Sequence, residues 1–177
     1  MRITTKRGDG GKTQTCKGKF VPKCDLKIRA CGALDEAISF LGLAKAKTKD
    51  TATRKTIDSV QKDLFRIISE IASGGKNAAR SVKPVKSEDV NQLENIGNIM
   101  ERHAHVPFSF VVPGVNEQSA VLHVARTVVR RAECLVVELN KKKKLNPCTL
   151  AYLNRLSDLL FIMAVYEEGK PQSLRYE

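Results

Sequence analysis

The run His123-Val-Ala-Arg126-Thr-Val-Val-Arg130-Arg131-Ala-Glu133 places charge inside an otherwise apolar stretch. Arg126, Arg130 and Glu133 fall at i, i+4 and i+7, so a helix stacks them on one face. The same segment carries Val121, Ala125, Val128, Ala132 and Leu135 at the spacing of a buried stripe. A guanidinium close to such a stripe is costly unless an anion meets it, which points to binding of a phosphate or carboxylate. The plain alternative is a network of ion pairs between helices. Arg130 and Arg131 are neighbours in sequence and project about 100° apart, so they cannot serve one small anion in the same way.

A second cluster is Thr4-Thr5-Lys6-Arg7-Gly8-Asp9-Gly10-Gly11-Lys12-Thr13. Glycines let backbone N–H groups approach a ligand, and Lys, Arg and Thr donate well to phosphate oxygens. Gly11-Lys12-Thr13 looks like the end of a Walker A motif. That motif needs glycine where Lys6 stands and an apolar strand before it, so a P-loop is excluded. A basic loop that binds nucleotide in another way and a basic tail remain. A third candidate is Tyr152-Leu-Asn154-Arg155-Leu-Ser157-Asp158-Leu-Leu-Phe161, with Asn154 and Asp158 one turn apart beside a leucine stripe and the fourth-helix arginines as expected partners. A fourth is the pair Asp35-Glu36, for which helix capping is the ordinary role. His103, His105 and His123 match no HExxH or ExxH pattern, and no metal-ligand set is expected.

These residues need elements to hold them. Residues 1–28 lack helical periodicity and are rich in Gly, Lys and Thr, which predicts a flexible, irregular N-terminal loop. Apolar spacing then predicts helices over 29–47, 51–73, 87–104, 117–140 and 147–168. Gly74-Gly75 ends the second, Ser87 and Asp89 suit the start of the third, and Pro147 opens the fifth. Val106 to Gly114, closed by prolines, reads as an extended connector, and Gly169 onward as a loose tail. The expected fold class is all-α: one domain over 1–177, with the loop at 1–28, a five-helix bundle over 29–168 and the tail at 169–177.

Bulk properties narrow the function. The net charge is +12, and residues 1–30 hold nine Lys/Arg against two Asp/Glu, so an anionic partner is indicated. Aromatic residues are 5% with no Trp, too few for a single-strand stacking platform. An odd count of five cysteines and no leader-like N-terminus argue against a disulfide framework. No unbroken apolar run is long enough to span a bilayer, and a cytoplasmic location is expected. The alternatives to an enzyme are a basic helical module that binds nucleic acid, and a structural bundle without activity.

The clusters, taken in order, resemble the PduO-type corrinoid adenosyltransferases, which convert cob(I)alamin and ATP into adenosylcobalamin. The resemblance is carried by Thr5-Lys6-Arg7-Gly8-Asp9-Gly10-Gly11, Gly32-Ala-Leu-Asp35-Glu36, Phe110-Val-Val-Pro-Gly114, Arg126 through Glu133, and Asn154-Arg-Leu-Ser-Asp158, across residues 3–166. It implies a homotrimer of five-helix bundles with active sites between subunits, and a cob(II)alamin reductase as a partner. It implies that Thr5, Lys6, Arg7, Gly8, Asp9, Thr13, Gln14 and Lys23 close over ATP. Arg130, Arg131, Glu133, Asn154 and Asp158 would complete that site, with Mg²⁺ accompanying the triphosphate. Asp35 and Arg126 match a pair that bridges subunits near the corrin. Phe110 matches an aromatic residue on the lower face of cobalt that keeps the dimethylbenzimidazole ligand away. The chain departs from the family's pattern at Ile38, Cys134 and Val165, where Asn, Arg and Arg are usual, and at Arg7, where a small residue is.

Overall fold

Five helices form where the apolar spacing predicts them, and a small hairpin precedes them. The computed structural model describes residues 4–74 and 82–172; the expectations for residues 1–3, for Gly75 and for the end of the tail lie outside these. Strands β1 (Lys12–Gln14) and β2 (Phe20–Pro22) pair antiparallel, with Thr13 opposite Val21. This corrects the expectation of an irregular loop. The strands are three residues long and mostly exposed, so they carry no hydrophobic alternation to read. The reversal between them is held by Thr15 N donating to Lys19 O at 2.8 Å and by Gly18 in the left-handed region, φ 77°.

The helices follow as α1 (Leu26–Lys47), α2 (Thr51–Ser73), α3 (Ser87–Ala104), α4 (Glu117–Lys142) and α5 (Pro147–Glu168). Helix α1 starts three residues earlier than expected because the Asp25 carboxylate caps it, accepting from Lys27 N at 2.9 Å. Asp50, Asn116 and Asn146 cap α2, α4 and α5 in the same way. Gly74, at φ 74°, closes α2. Helix α4 runs two residues past its expected end, with Lys141 and Lys142 against the negative end of its dipole.

Packing runs α2–α1–α4–α5–α3 through neighbouring pairs. Leu34 and Leu41 of α1, Ile57, Leu64 and Ile67 of α2, Leu122 and Val129 of α4, and Leu153, Leu156, Leu160 and Met163 of α5 are fully buried. Each such side chain contributes about 2 kcal/mol of transfer free energy. By length and composition α5 is apolar enough to match a membrane span, and 56% of its most apolar window is buried in the bundle. Its apolar character thus supplies the core's centre. Polar clamps close the side of the bundle that this packing leaves open. The Arg66 guanidinium of α2 reaches Asp89 of α3 at 2.8 Å and Asp63 at 2.6 Å, and the buried Tyr152 hydroxyl of α5 donates to Asp63 at 2.8 Å. The hydrogen bond from Arg66 holds the Asp89 carboxyl below the usual carboxylate range, with the Lys86 backbone N–H and the Arg66 charge adding to it against burial.

The connector between α3 and α4 is irregular where an extended one is expected, bending at Phe108–Ser109 and again at Pro113, and it is anchored. Val112 N donates to Gln172 O at 2.9 Å, and the Asn116 side chain donates to Glu167 O at 2.8 Å. The tail is therefore bonded to the connector as far as Gln172, where the sequence reading has it loose.

Candidate active site

The N-terminal cluster becomes a built cleft. Gly11 adopts φ 74° and its carbonyl accepts Lys23 N at 2.9 Å, which folds the strand entrance back on its exit. A turn from Lys6 (φ 58°) to Gly11 precedes it, with Asp9 N bonded to Lys6 O. Thr5, Arg7, Gly8, Thr13, Gln14 and Lys23 line a cleft of about 380 Å³ beside the hairpin. Gly8 lies close under Lys23: a β-carbon there would stand 3.2 Å from the ammonium nitrogen, so a larger residue would displace that side chain. Two cations, hydroxyl and amide groups and a bare glycine backbone are the donor set for a polyphosphate. Lys6 and Asp9 belong to the bounding turn and are exposed; they do not line the cleft.

The second cleft lies between α4 and α5. Arg126, Arg130, Ser157, Asp158, Phe161 and Ile162 line it, with Glu101 of α3 and Val106 of the connector, around about 300 Å³. Arg126 is half-buried, and its Nε has no hydrogen-bond partner among the described residues. Burial, then the neighbouring Arg130 charge, lowers its pKa. Arg130 is exposed and makes no ion pair among the described residues. Two guanidinium groups thus face one cleft without a carboxylate paired to either, which leaves them available to an anion or to electron-rich groups.

Arg131 points elsewhere, as the helical geometry requires: it forms an ion pair with Glu36 of α1. Asp35 and Glu36 lie in the interior of α1, about ten residues after its Asp25 cap, so the capping role expected for them is overturned. Asp35 is exposed and its carboxylate makes no ion pair among the described residues. The expectation that fourth-helix arginines hold Asn154 and Asp158 is also corrected. Asn154 donates to Glu133 at 3.3 Å and accepts from Arg155 at 3.0 Å, and Asp158 pairs with Arg155 at 2.9 Å. Both are exposed on α5, and their partners are Glu133 of α4 and the adjacent Arg155, not the fourth-helix arginines. Arg155 also reaches Glu94 of α3 at 3.0 Å.

Phe110 is 73% exposed on the connector, and Phe108 is fully exposed. An anchored backbone that displays two phenylalanine rings offers a flat apolar surface for a partner. Within one chain the two clefts share no lining residue. Ser157 and Phe161 fall within the third cluster without a role assigned to them, and Ile162 lies outside it. Their signal is the i, i+4 and i+5 spacing from Ser157, beside the Leu156/Leu160 stripe but off its axis. Among the departures, Ile38 and Val165 are buried and Cys134 is exposed. Two of the usual polar side chains are thus replaced by core packing.

The profile of the cobalamin adenosyltransferase family matches residues 3–167. A corrinoid adenosyltransferase of Citrobacter freundii is 38% identical over 170 residues, covering 96% of this chain and 97% of that protein. The corrinoid adenosyltransferase PduO of Salmonella typhimurium is 33% identical over 169 residues, and the chain spans about half (50%) of its length. Among solved structures, a phenylalanine-to-alanine variant of the PduO-type ATP:corrinoid adenosyltransferase of Lactobacillus reuteri, complexed with cobalamin and ATP, superposes with a TM-score of 0.90. It is 27% identical, with 99% of this chain and 100% of that chain covered. An arginine-to-lysine variant from the same organism, complexed with ATP, gives 0.86 at 29% identity, again over 99% and 100% of the two chains.

Proposed function

The chain belongs to the cobalamin adenosyltransferase family, and from that premise we propose how its two clefts carry out ATP-dependent adenosylation of a corrinoid. The enzyme transfers the 5′-deoxyadenosyl group of ATP to the cobalt of a reduced corrinoid. The Co(I) electron pair attacks C5′, the C5′–O bond breaks, and triphosphate leaves with both electrons of that bond. No side-chain nucleophile or base is called for. The protein must align ATP and neutralise charge growing on the leaving group. The observation that carries this reading is the pair Arg126 and Arg130, facing one cleft with no carboxylate paired to them. A purely structural bundle would pair them, as it pairs Arg131 with Glu36.

In this reading Thr5, Arg7, Gly8, Thr13, Gln14 and Lys23 take the triphosphate, and Arg130 supplies a cation to it from the second cleft. Because the two clefts are separate within one chain, the site is completed between subunits of a homotrimer. The buried side of Arg126 and the unpaired Asp35 are the two halves of a subunit-bridging ion pair. Arg131, Glu133, Asn154 and Asp158 act as the frame that sets the α1–α4–α5 register beside ATP. Phe110 covers the lower face of the corrin and excludes its axial ligand, which raises the potential at which Co(II) accepts an electron from a reductase. Mg²⁺ would accompany the triphosphate and supply further positive charge to the leaving group. The hairpin cleft presents cations, not a carboxylate cage, and among the described residues no group of three or more His, Cys, Asp or Glu is placed to form one. We place the activity in the cytoplasm.

Incubation with ATP, Mg²⁺ and chemically reduced cobalamin should convert the Co(I) spectrum to that of the Co–C product. An unchanged spectrum at every corrinoid concentration would overturn the reading.

A further inference from the structure

His123 and Glu168 form a buried pair that neither cleft uses directly. The Glu168 side chain is fully buried and His123 is 4% exposed, and His123 Nε2 lies 3.3 Å from Glu168 Oε1. Burial, then the positive Arg126 one turn away, lowers the imidazole pKa against the raising effect of Glu168. In the tautomer protonated at Nε2 the ring donates to the carboxylate, and Nδ1 is then an acceptor without a hydrogen-bond partner among the described residues.

The pair stands between two working surfaces. On one side the His123 ring meets Phe161 edge-on, with centroids 6.1 Å apart, and Phe161 lines the cleft of Arg126 and Arg130. On the other side Glu168 is the last residue of α5, and the chain beyond it holds the connector. Gln172 O accepts Val112 N at 2.9 Å, two residues after Phe110, while Glu167 O accepts the Asn116 side chain. Glu167 also accepts the Thr48 hydroxyl at the end of α1. The C-terminus of α5 is thus the mooring of the Phe110 connector, and the His123–Glu168 bond fixes that mooring to α4.

We infer that His123 and Glu168 are positioning residues for the corrin half of the reaction, acting through the α5 end and Val112 to hold Phe110 against the cofactor. The inference rests on the role assigned to Phe110 above. It requires the hydrogen bond and not the carboxylate charge, so a glutamine that accepts the same N–H should replace Glu168.

The experiment compares Glu168→Ala, Glu168→Gln and Val112→Pro with the parent. ATP affinity is read by thermal shift, kcat and KM by steady-state assay, and the cobalt axial ligand by absorbance of bound cob(II)alamin. Glu168→Ala and Val112→Pro should each lower kcat at least tenfold and return bound cob(II)alamin to the axially ligated spectrum. Their ATP affinity should stay within twofold of the parent's. Glu168→Gln should keep the parent's spectrum and a kcat within threefold. The inference is overturned by a folded Glu168→Ala with the parent's spectrum and kcat, or by equal loss of ATP affinity and corrin turnover. It is also overturned if Glu168→Gln fails as Glu168→Ala does. If Glu168→Ala does not fold, His123→Phe decides: it removes the bond to Glu168 and should show the same loss of kcat and the same axially ligated spectrum as Val112→Pro, and a parent-like result overturns the inference. A parent that forms no Co–C product removes the proposed function itself, an outcome separate from all of these.

Discussion

The hairpin cleft and the α4–α5 cleft handle charge in opposite ways. The first is built from backbone: three-residue strands, glycines with left-handed torsions, and side chains that are mostly exposed. Its cations, Arg7 and Lys23, are close to water and lose little when no ligand is present. The second is built on two long helices packed on a core, and it keeps a guanidinium half-buried without a paired carboxylate. That arrangement costs folding free energy in the free chain and returns it when an anion or a subunit arrives. A surface loop can gather a substrate, whereas a preorganised helical wall can stabilise a transition state.

Substitutions at the helical wall should therefore act on turnover, and those in the hairpin on affinity. Arg130→Ala is expected to show the largest effect, a loss of about 10²- to 10³-fold in kcat/KM for ATP, as for removal of a preorganised charge donor. Single-turnover kinetics with pre-reduced cobalamin would check it, and a loss below tenfold would dissolve the contrast. Phe110→Ala should cost about 10²-fold in turnover from cob(II)alamin, in line with misplacement of a reacting centre, and leave ATP affinity unchanged. Chemically reduced Co(I) should restore part of its rate, since the reductive step is then bypassed. Gly8→Val, which crowds the Lys23 ammonium, is expected to raise the KM for ATP about tenfold, equal to about 1.4 kcal/mol, with kcat and Tm unaltered. A fall in its kcat as large as that of Arg130→Ala would show that the hairpin shares the work of the helical wall. Tyr152→Phe is the smallest change and lies outside both clefts. It removes one buried hydrogen bond to Asp63, so about 1 kcal/mol of stability and a Tm decrease of about 2–4 °C are expected, with kinetics unchanged.

The helices were legible in the sequence because apolar spacing and caps act locally. Leu153, Leu156, Leu160 and Met163 announce the buried face of α5, and Pro147 announces its start. The start of α1 is hidden because Asp25 follows Pro22-Lys-Cys24 at the end of a segment without helical periodicity. The hairpin was invisible for a different reason. Its strands are held by backbone bonds and glycine torsions, and exposed three-residue segments have no periodicity. At the site, the residue types were readable and their partners were not. Arg126 and Arg130 could be named from spacing on one helix. That Glu36 takes Arg131, and Glu133 takes Asn154, depends on the register between helices, which no single segment encodes. His123 looked isolated because its partner lies 45 positions away on α5.

The position of α3 at the end of the packing order sets how the molecule breathes. Its backbone leans chiefly on α5, and its remaining fastening to the bundle includes the Arg66–Asp89 clamp. An element held by one neighbour opens at lower free energy than one held by two, so its amide protons should exchange before those of α1, α4 and α5. Helix α3 carries Glu101 on the rim of the arginine cleft and leads directly into Val106. The clamp between Arg66 and Asp89 therefore bears on how readily the Glu101 rim opens, although it touches neither cleft.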